Sequence, residues 1–299
     1  MTAVTQDRFR GAMLGMAIGE RAGTIAQGIK VETTAPATAT ALHICRRIRE
    51  FRRCDPLDIE LAILVELSAN GSVPFECEGS AAAAIAPVAL WYAATNSMAT
   101  GDIEYIGSTL GDDDGDFRIG SRAALVAAIY AIMLQAGGSP KSFHLLYDLC
   151  GVARRFENRQ TAGHPPAPEE SAAALLSRAM EAAEKSGESI GRLVGTGGHA
   201  VQTVPLTLAI CAIHDFGDFQ NAIVDAVKVD GAKAARGALA GALIGARVGL
   251  AGIPRNSVRA SPDRKIILAA ADELYALAGE VVGGTRVNGV TARDSRSDN

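Results

Sequence analysis

At 299 residues the chain is long for one domain, yet all-helical domains reach this size and no Pro/Ser-rich linker divides it. Lys and Arg number 29 against 33 Asp and Glu, and the net charge of −4 gives no electrostatic case for a nucleic-acid partner. Five scattered cysteines (Cys45, Cys54, Cys77, Cys150 and Cys211) form no C-x-x-C pair. Their odd count, without a signal sequence, points to reduced thiols in a cytosol; four of them read as small core residues, and no zinc site is expected from them.

In chain order, Asp7, Arg8 and Arg10 precede only a short apolar stretch, which does not read as a signal sequence. Ala37 to Thr40 lead into a helix over 41–50. Asp55 and Pro56 supply an N-cap and a first-turn proline for a helix reaching about Ala69, with Leu57, Leu61, Leu64 and Val65 on one face. Residues 107–120, GSTLGDDDGDFRIG, form a glycine-flanked acidic turn. Its Asp112, Asp113, Asp114 and Asp116 lack the layout and terminal Glu of an EF-hand, so the turn reads as solvated.

Ser121 to Gln135 is nearly all apolar and predicts a buried central helix. Ser139 and Pro140 mark another helix start, and residues 159–168, RQTAGHPPAP, a loop too proline-rich to be helical. Pro168, Glu169 and Glu170 predict a further helix with its acids at the positive end of the dipole. The Gly195–Gly198 turn opens a helix over 201–213, and His214 stands at its negative end.

Gly237, Gly241, Gly245 and Gly249 recur every four residues and share one helix face. The stripe could let a cofactor approach, but its amides are hydrogen-bonded within the helix, which favours close packing of another helix. Lys233, Arg236 and Arg247 interrupt the surrounding apolar run, leaving about ten uncharged residues between the arginines where ~20 would span a bilayer. Residues 285–299 read as a disordered polar tail after one domain over 1–284. No run of alternating Val, Ile and Thr appears. The expectation is an all-α, cytoplasmic protein with no nucleic-acid or membrane partner.

Three stretches together resemble the ADP-ribosylglycohydrolase family: RFRGAMLGMAIGERAG at 8–23, EGSAAAAIAPVAL at 78–90, and the glycine-striped segment at 223–254. In the first, Arg8, Gly11, Gly15, Ala17, Gly19 and Gly23 fit the family pattern, but Glu20 stands where Asp is usual. The family's T-D-D-T becomes Ala37-Thr38-Ala39-Thr40, without its carboxylates. Its G-N-G-[SA]-x-M-R-x-x-P becomes Glu78-Gly79-Ser80-Ala81 through Pro87, without Asn, Met or Arg. Gly195-Thr196-Gly197-Gly198 and Pro205 are kept. In the last segment, aligned without gaps from Gly237, only Asp230 falls on a ligand position. The similarity spans roughly residues 7 to 255.

The resemblance implies a compact orthogonal multi-helix bundle in which aspartates and threonines from separate segments hold two Mg²⁺ ions against ADP-ribose. Only Thr38, Thr40 and Asp230 stand at those places here, too few oxygen ligands for such ions. The expected cofactor is therefore none. The first functional expectation is a non-hydrolytic binder of an ADP-ribose-like ligand, or a regulatory protein partner, touching its ligand through Thr38, Thr40, Ser80, Gly195, Thr196, Gly197, His199 and Asp230. The second is metal-independent chemistry on an N-glycoside or nucleotide-derived metabolite, with Glu20 and Glu78 as acid and base. Against that pair stands a structural reading, in which Glu20 meets Arg21 or another cation and Glu78 caps the Ser80 helix. Authentic Mg²⁺-dependent hydrolysis is the third.

Overall fold

A computed structural model describes residues 4–30, 34–54, 78–95, 103–106, 118–138, 143–164, 166–182 and 186–291. The expected helix over 55–69, the acidic turn at 112–116, the Ser139–Pro140 start and Cys77 lie outside the described residues. The helices are α1 (Gln6–Ala26), α2 (Pro36–Phe51), α3 (Glu78–Ala84), α4 (Ala86–Thr95), α5 (Ile119–Ala136), α6 (Phe143–Gln160), α7 (Ala172–Glu181), α8 (Gly187–Val194), α9 (Ala200–Ile213), α10 (Phe219–Lys228), α11 (Lys233–Val248), α12 (Arg255–Ala260) and α13 (Arg264–Thr291). No strand occurs among the described residues, as expected for an all-α chain.

Local chemistry explains four of the starts. Thr5, Ser171, Ser186 and Asp218 each accept a backbone N–H in the first turn of α1, α7, α8 and α10, satisfying donors that a helix leaves open at its N-terminus. Because Ser171 caps α7, that helix begins at Ala172, and the expected start at Pro168–Glu170 is corrected: those residues form the approach to the cap. Of the stretch read as a tail from residue 285, residues 285–291 continue α13 and 292–299 lie outside the described residues. Helix α2 starts at Pro36 rather than after Thr40.

The central helix is α5. It contacts α3, α4, α6, α7, α9 and α11, and residues on all its faces are buried. Among the described residues it alone is long and apolar enough to cross a membrane, but six helices of its own chain cover it. Cys45, Cys150 and Cys211 are buried thiols, and burial pushes that of Cys45 up to about 12.

The tightest seam joins α1 to α11. Gly11 faces Gly245, Gly15 faces Gly241 and Gly19 faces Gly237, an antiparallel zipper in which each glycine lies against a backbone carbonyl of the opposite helix. The stripe at 237–249 therefore packs a helix, and the glycines at 11–23 form the matching half. Beside this seam, Arg10 binds Asp272 of α13 through two parallel bonds of 2.6 and 2.7 Å, while the Phe9 and Tyr275 rings meet edge to face at 5.3 Å. The Arg10 hydrogen bonds hold the Asp272 carboxyl below its ordinary pKa.

Candidate functional site

Helix α2 has no side-chain cap of its own, because Ala35 occupies the N-cap position. Glu20 on α1 performs that task from a distance. Its Oε1 accepts from the Ala37 amide at 2.7 Å, and its Oε2 from the Thr38 amide at 2.9 Å and the Thr38 hydroxyl at 2.7 Å. Both oxygens are thus engaged at the positive end of α2. The expected partner, Arg21 or another cation, is replaced by backbone donors.

Burial raises the Glu20 pKa, and the three donors on α2 lower it without cancelling that effect. A proton binds Glu20 more tightly in the folded chain than in the unfolded one. Its contribution to stability is therefore largest below the ordinary value of 4.5 and falls as pH rises from there through the raised folded value. Glu20→Gln cannot titrate and turns an amide NH₂ toward a backbone N–H. We expect it to cost about 1–2 kcal/mol near the acid end and to flatten this decline, as read by urea unfolding at stepped pH. An unchanged pH slope in the variant would remove the titration from Glu20.

Glu157 repeats the device between α6 and α7. It accepts from the Ser171 hydroxyl at 2.9 Å and the Ala172 amide at 2.7 Å, capping α7 from α6, and burial raises its pKa. Glu78 is the third such residue, and the helix it caps is not its own. Rather than capping the Ser80 helix, its Oε2 accepts from the Ala200 amide at 3.0 Å, at the start of α9, and from the buried Ser121 hydroxyl of α5. Its Oε1 lies 3.3 Å from Nδ1 of His199, whose side chain is 65% exposed. Ser80 is half-buried in the first turn of α3.

The Gly195–Gly198 loop is held from all sides. The Gly79 amide donates to the Gly198 carbonyl at 2.9 Å, the Gly197 amide donates to Gln202 Oε1 at 3.0 Å, and the Thr203 hydroxyl donates to the Gly197 carbonyl at 3.1 Å. Gly195 and Gly231 both adopt φ of +91°, and a Cβ on Gly231 would run into the Thr196 carbonyl. Arg236 ties this loop to the one before α11. The guanidinium is fully buried and donates to the carbonyls of Thr196 at 3.2 Å, Ala226 at 3.0 Å, Asp230 at 2.9 Å and Val229. Sequence reasoning treated Arg236 only as a charge interrupting an apolar run. Its one signal was a cation set among alanines and glycines of a packing helix.

The remaining candidates diverge. The Thr40 hydroxyl donates to the Pro36 carbonyl within its own helix at 3.0 Å. Asp230 stands apart from these groups, its carboxylate 97% exposed and paired with Lys233 at 3.3 Å. Only its carbonyl joins the loop frame, through Arg236. Two groupings result: Glu20 with Thr38, and Glu78 with Ser121, His199 and the Gly195–Gly198 loop. His214 pairs with Asp225 of α10 at 2.9 Å.

The ADP-ribosylglycohydrolase family profile matches residues 26–283. That range extends further toward the C-terminus than the motif comparison did, and it leaves most of α1 outside. A solved structure described as an ADP-ribosylglycohydrolase-related protein complex superposes with a TM-score of 0.60 at 19% identity, covering 91% of this chain and 98% of that one. No curated protein matches significantly. The all-α architecture and a profile match over most of the chain lead to one conclusion: the chain belongs to the ADP-ribosylglycohydrolase family.

Proposed function

We propose that this chain is a cytoplasmic family member without the binuclear Mg²⁺ site, acting as a non-hydrolytic binder of an ADP-ribose-like ligand or as a regulatory partner. The observation that carries the reading is the engagement of Glu20. Mg²⁺ asks for near-octahedral oxygen ligands, mostly carboxylates and waters. At the positions where the motif comparison looks for them, both Glu20 oxygens cap α2, the Thr38 hydroxyl donates to Glu20, the Thr40 hydroxyl donates to Pro36, and Asp230 stands in solvent. Among the described residues, such a donor set does not fit two Mg²⁺ ions. The loop frame built by Gln202, Thr203 and Arg236 is tied by hydrogen bonds of the chain itself, which supports a loop held in place without a metal ligand.

Calorimetric titration with ADP-ribose, with added Mg²⁺ and with a chelator, tests this reading. We expect saturable binding with the same affinity in both buffers and no turnover of the ligand. Binding that appears only with Mg²⁺, or release of a product, overturns it.

A further inference from the structure

Among the described residues, the buried Glu78 carboxylate accepts from the Ser121 hydroxyl and the Ala200 amide, and its Oε1 stands 3.3 Å from Nδ1 of His199. A carboxylate oxygen facing Nδ1 favours a proton there, as in other buried acid–imidazole pairs, where the acid fixes the tautomer. In a neutral ring, Nε2 then carries the lone pair. That edge lies opposite the anchored one on a ring that is 65% exposed, beside a loop whose backbone is tied by Gly79, Gln202 and Thr203. Ser121 lies on the acid's side of the pair rather than the imidazole's, which makes it a positioning residue for Glu78 and no nucleophile.

We infer that Glu78 holds His199 in its Nδ1–H tautomer, so that Nε2 serves as an outward-facing hydrogen-bond acceptor for a hydroxyl group of the ligand. The ligand hydroxyl donates a hydrogen bond to Nε2 and keeps its proton, the ring stays neutral, and no bond is made or broken. Assignment of that hydroxyl to a ribose-bearing ligand rests on the reading proposed above, whereas the tautomer does not.

Nitrogen-resolved imidazole spectra of the full chain at about pH 8, where an ordinary imidazole is neutral, test the pair without ligand. His199→Gln identifies the resonance. The wild type is expected as the Nδ1–H tautomer, and Glu78→Ala is expected to revert toward the Nε2–H form that free imidazole side chains prefer. A wild-type ring protonated at Nε2 overturns the inference even if Glu78→Ala fails to fold. In a second arm, ADP-ribose is titrated into wild type and His199→Gln, with about tenfold weaker binding expected in the variant. Equal affinities overturn the ligand contact. If the wild type binds no ADP-ribose, the binder reading falls while the tautomer still decides the Glu78–His199 pair.

Discussion

Gly19→Ala is expected to destabilise the protein by at least about 3 kcal/mol, a large part of what a domain of ordinary stability possesses. A Cβ added at Gly19 would sit 1.8 Å from the Gly237 carbonyl oxygen, with the Gly237 carbonyl carbon at 2.5 Å. Neither atom belongs to a flexible side chain that could rotate away. Relief would require α1 and α11 to separate along the whole seam, which also unseats the Gly15–Gly241 and Gly11–Gly245 contacts. Close-packed interiors transmit such a shift instead of absorbing it.

Gly279→Ala provides the control. This glycine lies in α13 with nothing within 4 Å of its would-be Cβ, so alanine should raise stability by roughly 0.5–1 kcal/mol through helix propensity alone. Thermal and urea unfolding of the two variants would separate packing from propensity. Gly19→Ala within about 0.5 kcal/mol of wild type would show that the helices yield more readily than backbone contact allows.

Arg236→Met is the second large effect expected, at about 3 kcal/mol or more. Methionine fills much of the same volume but leaves the buried Ala226 and Val229 carbonyls without the guanidinium donors they now accept from, at about 1–3 kcal/mol each, while the Asp230 carbonyl, on an exposed residue, loses less. The Thr196 carbonyl suffers less, since it also accepts from the Ala232 amide at 3.2 Å. Arg236→Lys keeps the charge but replaces a planar fork by a point donor that cannot reach both loops, so an intermediate loss is expected. Amide exchange gives the local readout. The Ala232 amide should lose protection in both variants, more in Met than in Lys, before global unfolding contributes. Unchanged protection there would mean that Arg236 does not hold the loop frame.

Glu20, Glu78 and Glu157 share a construction with consequences for how such chains are read. Each lies on one helix and accepts from first-turn amides of another, so a conspicuous acid near a family motif can serve the scaffold. For Glu20 the service occupies both oxygens. For Glu78 it leaves one oxygen beside an exposed imidazole, which is why a ligand contact is inferred there and not at Glu20.

The amino-acid sequence by itself determined the features whose cause lies within a turn or two of the chain. The apolar run around 121–135 specified a helix that had to be buried, the spacing of Gly237, Gly241 and Gly245 specified a face for close packing, and the motif pattern specified the family. Only the tertiary structure decided which partners met across long separations. Glu20 reaches an amide 17 residues away and Glu78 one 122 residues away. The first glycine row found the second from the opposite end of the chain. Asp230 turned into solvent while its carbonyl turned inward to Arg236. Helix periodicity and capping act over three or four residues and are written in local composition. A buried carboxylate or guanidinium, by contrast, takes whichever unsatisfied amides or carbonyls the packed helices bring within 3 Å, and no local pattern records which those will be.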